Sequence, residues 1–269
     1  MYKASSLSYI RFGWGSKPAF CFHGYGEEAM SFAFFERYAG NEYTFYAIDL
    51  PFHGQTNWAE DLPFTAIDLE KIVSEILRQE NSSFSANGTN LTLVGYSLGG
   101  RIVLSLYQSQ PLIADKLVLF APDGLKINFW YWVSTQTWVG NKLFAFTMEY
   151  PGWFFGVLKS LNKLNLANAS IFKFVNYYIG DKDVRRLLYA RWTTLRKLKP
   201  GLKKIKSLVI DNKTKVRLVY GKHDRIILPA VGEEFRKGIE EHCTISVIYS
   251  GHQVLHEKHV QELLPPLLH

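Results

Sequence analysis

The sequence predicts an α/β fold in which a mostly parallel sheet is covered by helices on both faces. Short apolar runs rich in β-branched and aromatic residues alternate with segments of helical periodicity along most of the 269 residues. The apolar runs are nearly continuous, as expected for strands that are buried on both sides. A composition of 47% hydrophobic and 20% charged residues is sufficient for one large core.

The predicted strands are runs of four to eight residues that end in loops of glycine, proline and polar residues. Each loop therefore follows the carboxyl end of a strand, which is where parallel sheets carry their functional groups. In chain order, the predicted strands are 19–22, 43–50, 91–95, 116–120, 216–220 and 244–249.

The predicted helices show apolar residues three to five positions apart. Ile67, Ile72 and Ile76 lie on one face of the segment 65–80, and Pro111 ends the segment that begins at Leu98. In chain order, the predicted helices are 32–39, 65–80, 98–110, 230–241 and 254–264.

The segment 124–206 differs sharply in composition from the residues on either side. It contains 15 Lys/Arg and 3 Asp/Glu in a chain of net charge +7, and it holds five of the seven tryptophans. This shift predicts a separate subdomain at 124–206, inserted in a core domain formed by 1–123 and 207–269.

Composition also excludes several classes of protein. The aromatic content of 15% excludes a disordered chain. Cys21 and Cys243 are too few for a disulfide framework and are predicted to be buried, reduced thiols. The first residues do not resemble a secretory signal, and no apolar run reaches the ~18 residues of a membrane span, so we expect a cytoplasmic protein. No motif indicates a cofactor.

The segment from Gly95 to Gly99 has the pattern G-x-S-x-G between a predicted strand and a predicted helix. Such a tight strand-to-helix turn strains the central residue and brings the positions two before and two after it too close for a Cβ. Ser97 would then lie exposed at the tip, beside the free amides of the helix start. Ser97 is therefore the candidate nucleophile.

A serine hydroxyl needs a base, and the base needs a carboxylate that orients it. Asp224 and His252 follow the last two predicted strands, in the order serine, acid, histidine. Asp123, which follows the strand 116–120, is an alternative acid, and His223 is interpreted as a loop residue.

A metal site is a weaker interpretation of the C-terminal histidines. His252, His256 and His259 have the spacing H-x3-H-x2-H, which is compatible with zinc. Histidines on the surface of a helix are the simpler interpretation, and we predict no metal.

These motifs together resemble the α/β-hydrolase superfamily. The resemblance extends from about residue 19 to 264 and rests on HGYG at 23–26, DLPFHGQT at 49–56, GYSLGG at 95–100, GKHD at 221–224 and GH at 251–252. It implies an eight-strand-type sheet, a helical cap (lid) at 124–206, and an oxyanion hole formed by the backbone amides of Tyr25 and Leu98. His23 would hold the oxyanion loop rather than act as a base.

The sequence departs from the family pattern at the second motif, where Phe52 replaces a glycine and Thr56 a serine. The serine nucleophile excludes the haloalkane dehalogenases and epoxide hydrolases of this superfamily, which use aspartate. The resemblance therefore implies an esterase- or lipase-like enzyme that hydrolyses a carboxylic ester or related acyl substrate through Ser97, His252 and Asp224.

Two other functions stay open. Arg101 after the second glycine is similar to the elbow of the menaquinone-pathway lyase that eliminates pyruvate, in which arginines bind substrate carboxylates. Arg101 is therefore a possible substrate-binding residue, with Arg185, Arg186 and Arg191 as further basic groups. A non-catalytic scaffold is the other alternative, although it would not require the serine, acid and histidine.

The predicted partner is a small-molecule acyl substrate. The basic, aromatic segment 124–206 lacks any recognised nucleic-acid-binding motif, so we expect no nucleic-acid partner. Tryptophans beside lysines are also compatible with weak contact to a membrane surface. The sequence does not predict an oligomeric state.

Overall fold

The sheet has seven strands in the described part of the chain. The structure is a computed structural model that describes residues 4–59, 63–80, 91–126, 128–163 and 179–269. The strands are β1 (Tyr9–Phe12), β2 (Lys17–Phe22), β3 (Tyr43–Ile48), β4 (Leu91–Tyr96), β5 (Ala114–Phe120), β6 (Lys215–Gly221) and β7 (Cys243–Ile248).

The strand order is β1-β3-β2-β4-β5-β6-β7, and only β1 runs antiparallel to its neighbour. Phe22 of β2 pairs with Gly95 of β4, and Tyr96 pairs with Phe120 of β5. The loops after β2, β4 and β5 therefore meet at one edge of the sheet. The predicted fold class, a mostly parallel sheet flanked by helices, is confirmed.

Ten α-helices are described. They are α1 (Phe35–Ala39), α2 (Ala66–Gln79), α3 (Leu98–Ser109), α4 (Phe129–Gln136), α5 (Trp138–Glu149), α6 (Gly152–Lys163), α7 (Lys182–Thr194), α8 (Leu202–Asp211), α9 (Pro229–Arg236) and α10 (Val260–Leu268).

The helices of the main unit pack by their apolar faces. Helix α1 contacts α10, whereas α3 contacts both α2 and α8. Thr65 caps α2, since its hydroxyl accepts from the Asp68 amide while the Asp68 carboxylate accepts from the Thr65 amide. The buried face of α2 is mostly apolar and includes Ile72 and Ile76, whereas Ile67, predicted on the same face, is 58% exposed because a spacing of five residues turns it away from that face.

All six predicted strands are present, with ends within two residues of those predicted. Strand β1 was not predicted. It is a four-residue edge strand whose side chains are mostly partly exposed, so it lacks the continuous apolar run that marks the other strands. The family resemblance implied an eight-strand-type sheet, whereas the described residues form seven strands.

Three helix predictions were wrong in position. The segment 32–39 is divided between a 3₁₀ turn (Ala29–Phe32) and α1, and the last helix begins at Val260 rather than at 254. Val254 and Leu255 are buried in a loop, so their apolar character comes from core packing rather than from a helix. Helix α9 also ends early, because Gly238 adopts a φ of +82° shortly after it.

The chain divides into two compact units. The main unit comprises 1–60, 64–126 and 197–269, and the helical unit comprises 61–63 and 127–196. The boundaries predicted from composition, at 124 and 206, stay a prediction, and α8 belongs to the main unit. The part of the basic segment at 164–178 lies outside the described residues.

Aromatic side chains connect the helices of the helical unit. The ring of Tyr131 on α4 lies 5.2 Å from that of Trp192 on α7. Phe144 on α5 lies 5.3 Å from Tyr189 and 5.5 Å from Trp192, both on α7. Arg185 donates from Nε to the carbonyl of Met148, which belongs to the last turn of α5. These contacts form a small aromatic core between α4, α5 and α7.

Both cysteines are free and buried, as predicted, and burial raises the pKa of the Cys243 thiol to about 12. Among the helices of the described residues, none combines the length and apolarity needed to cross a bilayer.

Candidate active site

Ser97 lies at a strained turn between β4 and α3. Its backbone has φ +49° and ψ −112°, and its amide donates to the carbonyl of Phe120 at 2.9 Å. A Cβ on Gly95 would lie 2.6 Å from the carbonyl carbon of Gly99, and one on Gly99 would lie 1.8 Å from the carbonyl oxygen of Phe22. The two glycines are therefore required by the tight turn, as the sequence pattern predicts.

His252 lies between Ser97 and Asp224. Its Nε2 is 3.0 Å from Ser97 Oγ, and its Nδ1 is 2.7 Å from Asp224 Oδ2. With a proton on Nδ1, the imidazole donates to the carboxylate and accepts from the serine hydroxyl. This arrangement is suited to removing the serine proton.

The loop after β6 holds the Asp224 carboxylate. That side chain is fully buried, and its Oδ1 accepts from the amides of Ile226 at 2.7 Å and Ile227 at 2.9 Å. A Cβ on Gly221 would lie 1.9 Å from the carbonyl oxygen of Gly251, so glycine allows the acid and histidine loops to approach. Asp224 is thus oriented by two amides on one oxygen and by His252 on the other.

Asp123, the alternative acid, has different partners. Its carboxylate forms an ion pair with Arg101 and also accepts from the Gly124 amide at 2.7 Å. Its own amide donates to the carbonyl of Ser97 at 2.8 Å. The structure therefore brings Asp224, and not Asp123, into hydrogen-bond contact with His252.

The other C-terminal histidines do not join this arrangement. His256 precedes a 3₁₀ turn and its Nδ1 accepts from the Lys258 amide, while His259 precedes α10 and burial lowers its pKa. The ring of His223 packs against that of Tyr249 at 4.7 Å. Within the described residues, no group of three His, Cys, Asp or Glu side chains has an arrangement suited to a metal ion.

His23 uses both ring nitrogens to hold backbone. Its Nδ1 donates to the carbonyl of Gly24 at 2.7 Å, and its Nε2 accepts from the Leu50 amide at 3.0 Å. The ring is completely buried. Tyr25 lies in the loop after β2, which His23 supports. Leu98 is the first residue of α3 and follows β4, the strand that pairs with β2.

The loop 49–56 accommodates both departures from the family pattern. Phe52 has a φ of +61°, which explains why glycine is common at this position in the family. Thr56 Oγ1 donates to the Asp49 carbonyl at 2.7 Å and accepts from the Ser8 amide at 2.9 Å. The Asp49 carboxylate accepts from the amide of Ala29.

Three residues around the site were missed from the sequence. Gln253 donates from Nε2 to Glu27 Oε1 at 2.9 Å, and the Tyr96 hydroxyl donates to the His252 carbonyl at 3.1 Å. Burial, together with the charges of Glu27 and Asp224, raises the pKa of Tyr96, so the phenol stays a donor. These side chains connect the loops after β2, β4 and β7. The sequence around Glu27, Tyr96 and Gln253 contains no signal for these roles, because these hydrogen bonds join residues at least 156 positions apart in the chain.

Comparison with known proteins places this geometry in context. The family model described as serine aminopeptidase, S33, matches residues 18–259. The uncharacterised hydrolase YugF of Bacillus subtilis is 25% identical over 247 residues, which are 91% of this chain and 86% of YugF.

Two solved structures have a similar fold. A thermophilic esterase from Thermogutta terrifontis has a TM-score of 0.67 at 14% identity, covering 96% of this chain and 90% of the esterase. A carboxylesterase structure from the thaumarchaeon Nitrososphaera gargenis has a TM-score of 0.65 at 18% identity, covering 98% of this chain and 94% of the other. At these identities the likeness concerns the fold.

Proposed function

The chain belongs to the serine aminopeptidase (S33) family and is an α/β-hydrolase, and from this premise we propose that it cleaves a carboxylic ester through Ser97, His252 and Asp224. The observation that carries the proposal is the pair of hydrogen bonds at 3.0 and 2.7 Å that joins these three side chains. Each group has the neighbour that its role requires.

The proposed reaction begins when Ser97 Oγ attacks the ester carbonyl carbon. Its proton passes to His252 Nε2, and the carbonyl electron pair moves to the oxygen. Asp224 stabilises the imidazolium through Nδ1. His252 then gives the proton to the departing alcohol, which leaves an acyl-enzyme. Water attacks the acyl carbon while His252 takes its proton; the bond to Ser97 Oγ then breaks, His252 returns the proton to Oγ, and the carboxylic acid leaves.

The backbone amides of Tyr25 and Leu98 are proposed to stabilise the negative oxygen. Leu98 is the first residue of α3, where amides lack intrahelical acceptors and the helix dipole is positive. Tyr25 follows β2, which pairs directly with β4. Removing one such donor typically costs about 10²–10³ in kcat.

The lyase alternative gains no support from Arg101. Its guanidinium is paired with Asp123, and only 11% of its side chain is exposed. A substrate carboxylate would therefore have to displace an existing carboxylate from this arginine.

The test is hydrolysis of p-nitrophenyl esters from acetyl to palmitoyl by the whole chain and by Ser97→Ala. Ser105→Ala is the matched control, since Ser105 also lies on the α3 segment and its buried hydroxyl has no hydrogen-bond partner in the part of the chain described. We expect Ser97→Ala to lose ester hydrolysis without unfolding and Ser105→Ala to keep wild-type hydrolysis. The acyl chain length that is hydrolysed fastest indicates the length of the acyl-binding site.

Activity retained by Ser97→Ala would contradict the mechanism. A folded wild-type chain that hydrolyses none of these esters would contradict the ester as substrate, and pyruvate release would then test the lyase alternative.

A further inference from the structure

Helix α5 exposes an apolar stripe. Val139, Leu143, Phe146 and Tyr150, the last directly after the helix, are spaced by four, three and four residues and therefore lie on one helical face. Their side chains are 68%, 50%, 52% and 62% exposed. On a water-soluble helix, the positions at this spacing normally face the core.

Two helices that contact α5 also carry exposed apolar side chains, namely α4 and α6. We name the whole set the apolar surface; its members are Phe129, Trp130, Trp132, Trp138, Val139, Leu143, Phe146, Tyr150, Trp153 and Val157, all at least 40% exposed.

In the described part of the helical unit, the four side chains of the α5 stripe are at least half exposed. Helix α5 packs through another face, on which Thr147 and Met148 are buried and Phe144 contacts the rings of α7. The helix is thus apolar on two sides, and the described residues cover only one of them. Exposed apolar side chains in this number on three contacting helices indicate an interaction site.

Positive charge accompanies the apolar surface. Residues 127–196 contain nine Lys/Arg and three Asp/Glu. Lys142 is exposed on α5, with its Nζ 4.1 Å from the ring centre of Trp138, and Lys159 is exposed on α6. A second copy of this chain would place two basic surfaces face to face, which is unfavourable. An anionic partner matches both features.

We propose that the apolar surface binds the interface of a bilayer that contains anionic phospholipids. Tryptophan and tyrosine side chains are favoured at the headgroup level, where the ring is buried and its polar atom stays hydrated. Lys142 and Lys159 would contact lipid phosphates, and α5 would lie in the plane of the bilayer rather than cross it. This binding is independent of the proposed hydrolysis.

The experiment measures partition of the whole chain onto vesicles by co-sedimentation. Ser97→Ala is the background throughout, so that hydrolysis cannot alter the lipids. Vesicles of phosphatidylcholine alone are compared with vesicles that contain 30% phosphatidylglycerol, at low and high NaCl. We expect binding to the anionic vesicles that weakens with salt.

Two variants locate the binding surface. Trp138→Ala combined with Phe146→Ala is expected to weaken partition at least about tenfold, because both rings would leave the interface. Lys142→Gln is expected to weaken it about fivefold. The matched control is Trp14→Ala, since Trp14 in the main unit is 71% exposed against 72% for Trp138 and should not affect binding.

Absence of binding by the folded parent to anionic vesicles would overturn the proposal, as would equal losses in the Trp14 and Trp138 variants. Self-association that disappears in the Trp138/Phe146 variant, without any vesicle binding, would assign the surface to a second copy. Circular dichroism checks that each variant folds. Lys142→Gln, an exposed polar replacement, keeps the test valid if the aromatic variant does not fold.

Discussion

The two units treat their apolar side chains in opposite ways. In the main unit, large rings such as Phe45, Phe64 and Phe120 are completely buried against the sheet and its helices. The helical unit contains eleven of the twenty exposed large apolar side chains found in the described residues, although it is the smaller unit. The main unit thus buries large rings such as these in its core, whereas the helical unit leaves many of its large apolar side chains exposed, which is the basis of the proposed bilayer contact.

Polar groups show the reverse contrast. The main unit buries His23, Asp49 and Asp224, each with specific hydrogen-bond partners. Burying such groups is unfavourable unless they are paired. The main unit therefore contains buried, hydrogen-bonded polar groups, and the helical unit exposes apolar side chains.

The largest expected effect tests the buried polar groups of the main unit. Asp224→Asn should lower kcat by about 10⁴, because the amide favours the wrong imidazole tautomer, while its oxygen can still accept from Ile226 and Ile227. Asp123→Asn should cost less than about tenfold. Steady-state hydrolysis of a p-nitrophenyl ester measures both. Equal losses would mean that the Asp224 contact does not orient the base.

The second prediction compares one substitution in the two units. Phe45→Ala should lower the free energy of unfolding by about 3–5 kcal/mol, since it leaves a cavity in the sheet core. Phe146→Ala, at a side chain that is 52% exposed, should cost less than about 1 kcal/mol. Denaturant unfolding followed by circular dichroism measures both values. A large loss at Phe146 would show that its exposed ring is needed for folding.

The third prediction concerns a buried cation in the main unit. Burial lowers the pKa of Lys116 to about 8, and its Nζ donates to the Leu267 carbonyl at 3.0 Å. The unfolded chain keeps the ordinary lysine pKa of about 10.4, so the unfolded state binds more protons between the two values. Lys116 should therefore contribute a rise of about 2–3 kcal/mol in the unfolding free energy from pH 8 to 10.4, whereas the buried Cys243 thiol contributes a fall above pH 9.

Lys116→Met removes this group and should lack the rise, and at pH 7 it should be at least as stable as the wild type. Urea unfolding at pH 7 and pH 10 measures the difference between the two chains. Lys142→Met, which removes an exposed lysine, is the control and should follow the wild-type curve. If the unfolding free energies of wild type and Lys116→Met changed equally between pH 7 and pH 10, the lowered pKa of Lys116 would be contradicted.

The smallest expected effect lies in the helical unit. Gly156 is inside α6, and apart from the helix's own backbone no described atom lies within 4 Å of the position of an added Cβ. Gly156→Ala should stabilise α6 by about 0.5–1 kcal/mol, since alanine favours the helix and meets no obstacle. Slower amide hydrogen exchange in α6 would show this stabilisation. Gly99→Ala is the contrasting variant: its Cβ would collide with the backbone of Phe22, so it should lower the free energy of unfolding.

Sequence reasoning succeeded wherever a local cause acts. The strands followed from continuous apolar runs, and the turn at Ser97 followed from two glycines that its geometry requires. The helix prediction failed at Val254 and Leu255, which are buried in a loop. Apolar residues that pack into the core from a loop produce the same sequence pattern as the buried face of a helix.

The sequence by itself determined the fold class, the strand ends, and the set of serine, acid and histidine side chains at those ends. Only the tertiary structure shows that Asp224 rather than Asp123 contacts His252, because both follow parallel strands and their partners come from distant loops. It also decided which tryptophans face solvent. Local sterics and periodicity are encoded within a few residues, whereas hydrogen-bond partners and exposure depend on side chains brought together by folding.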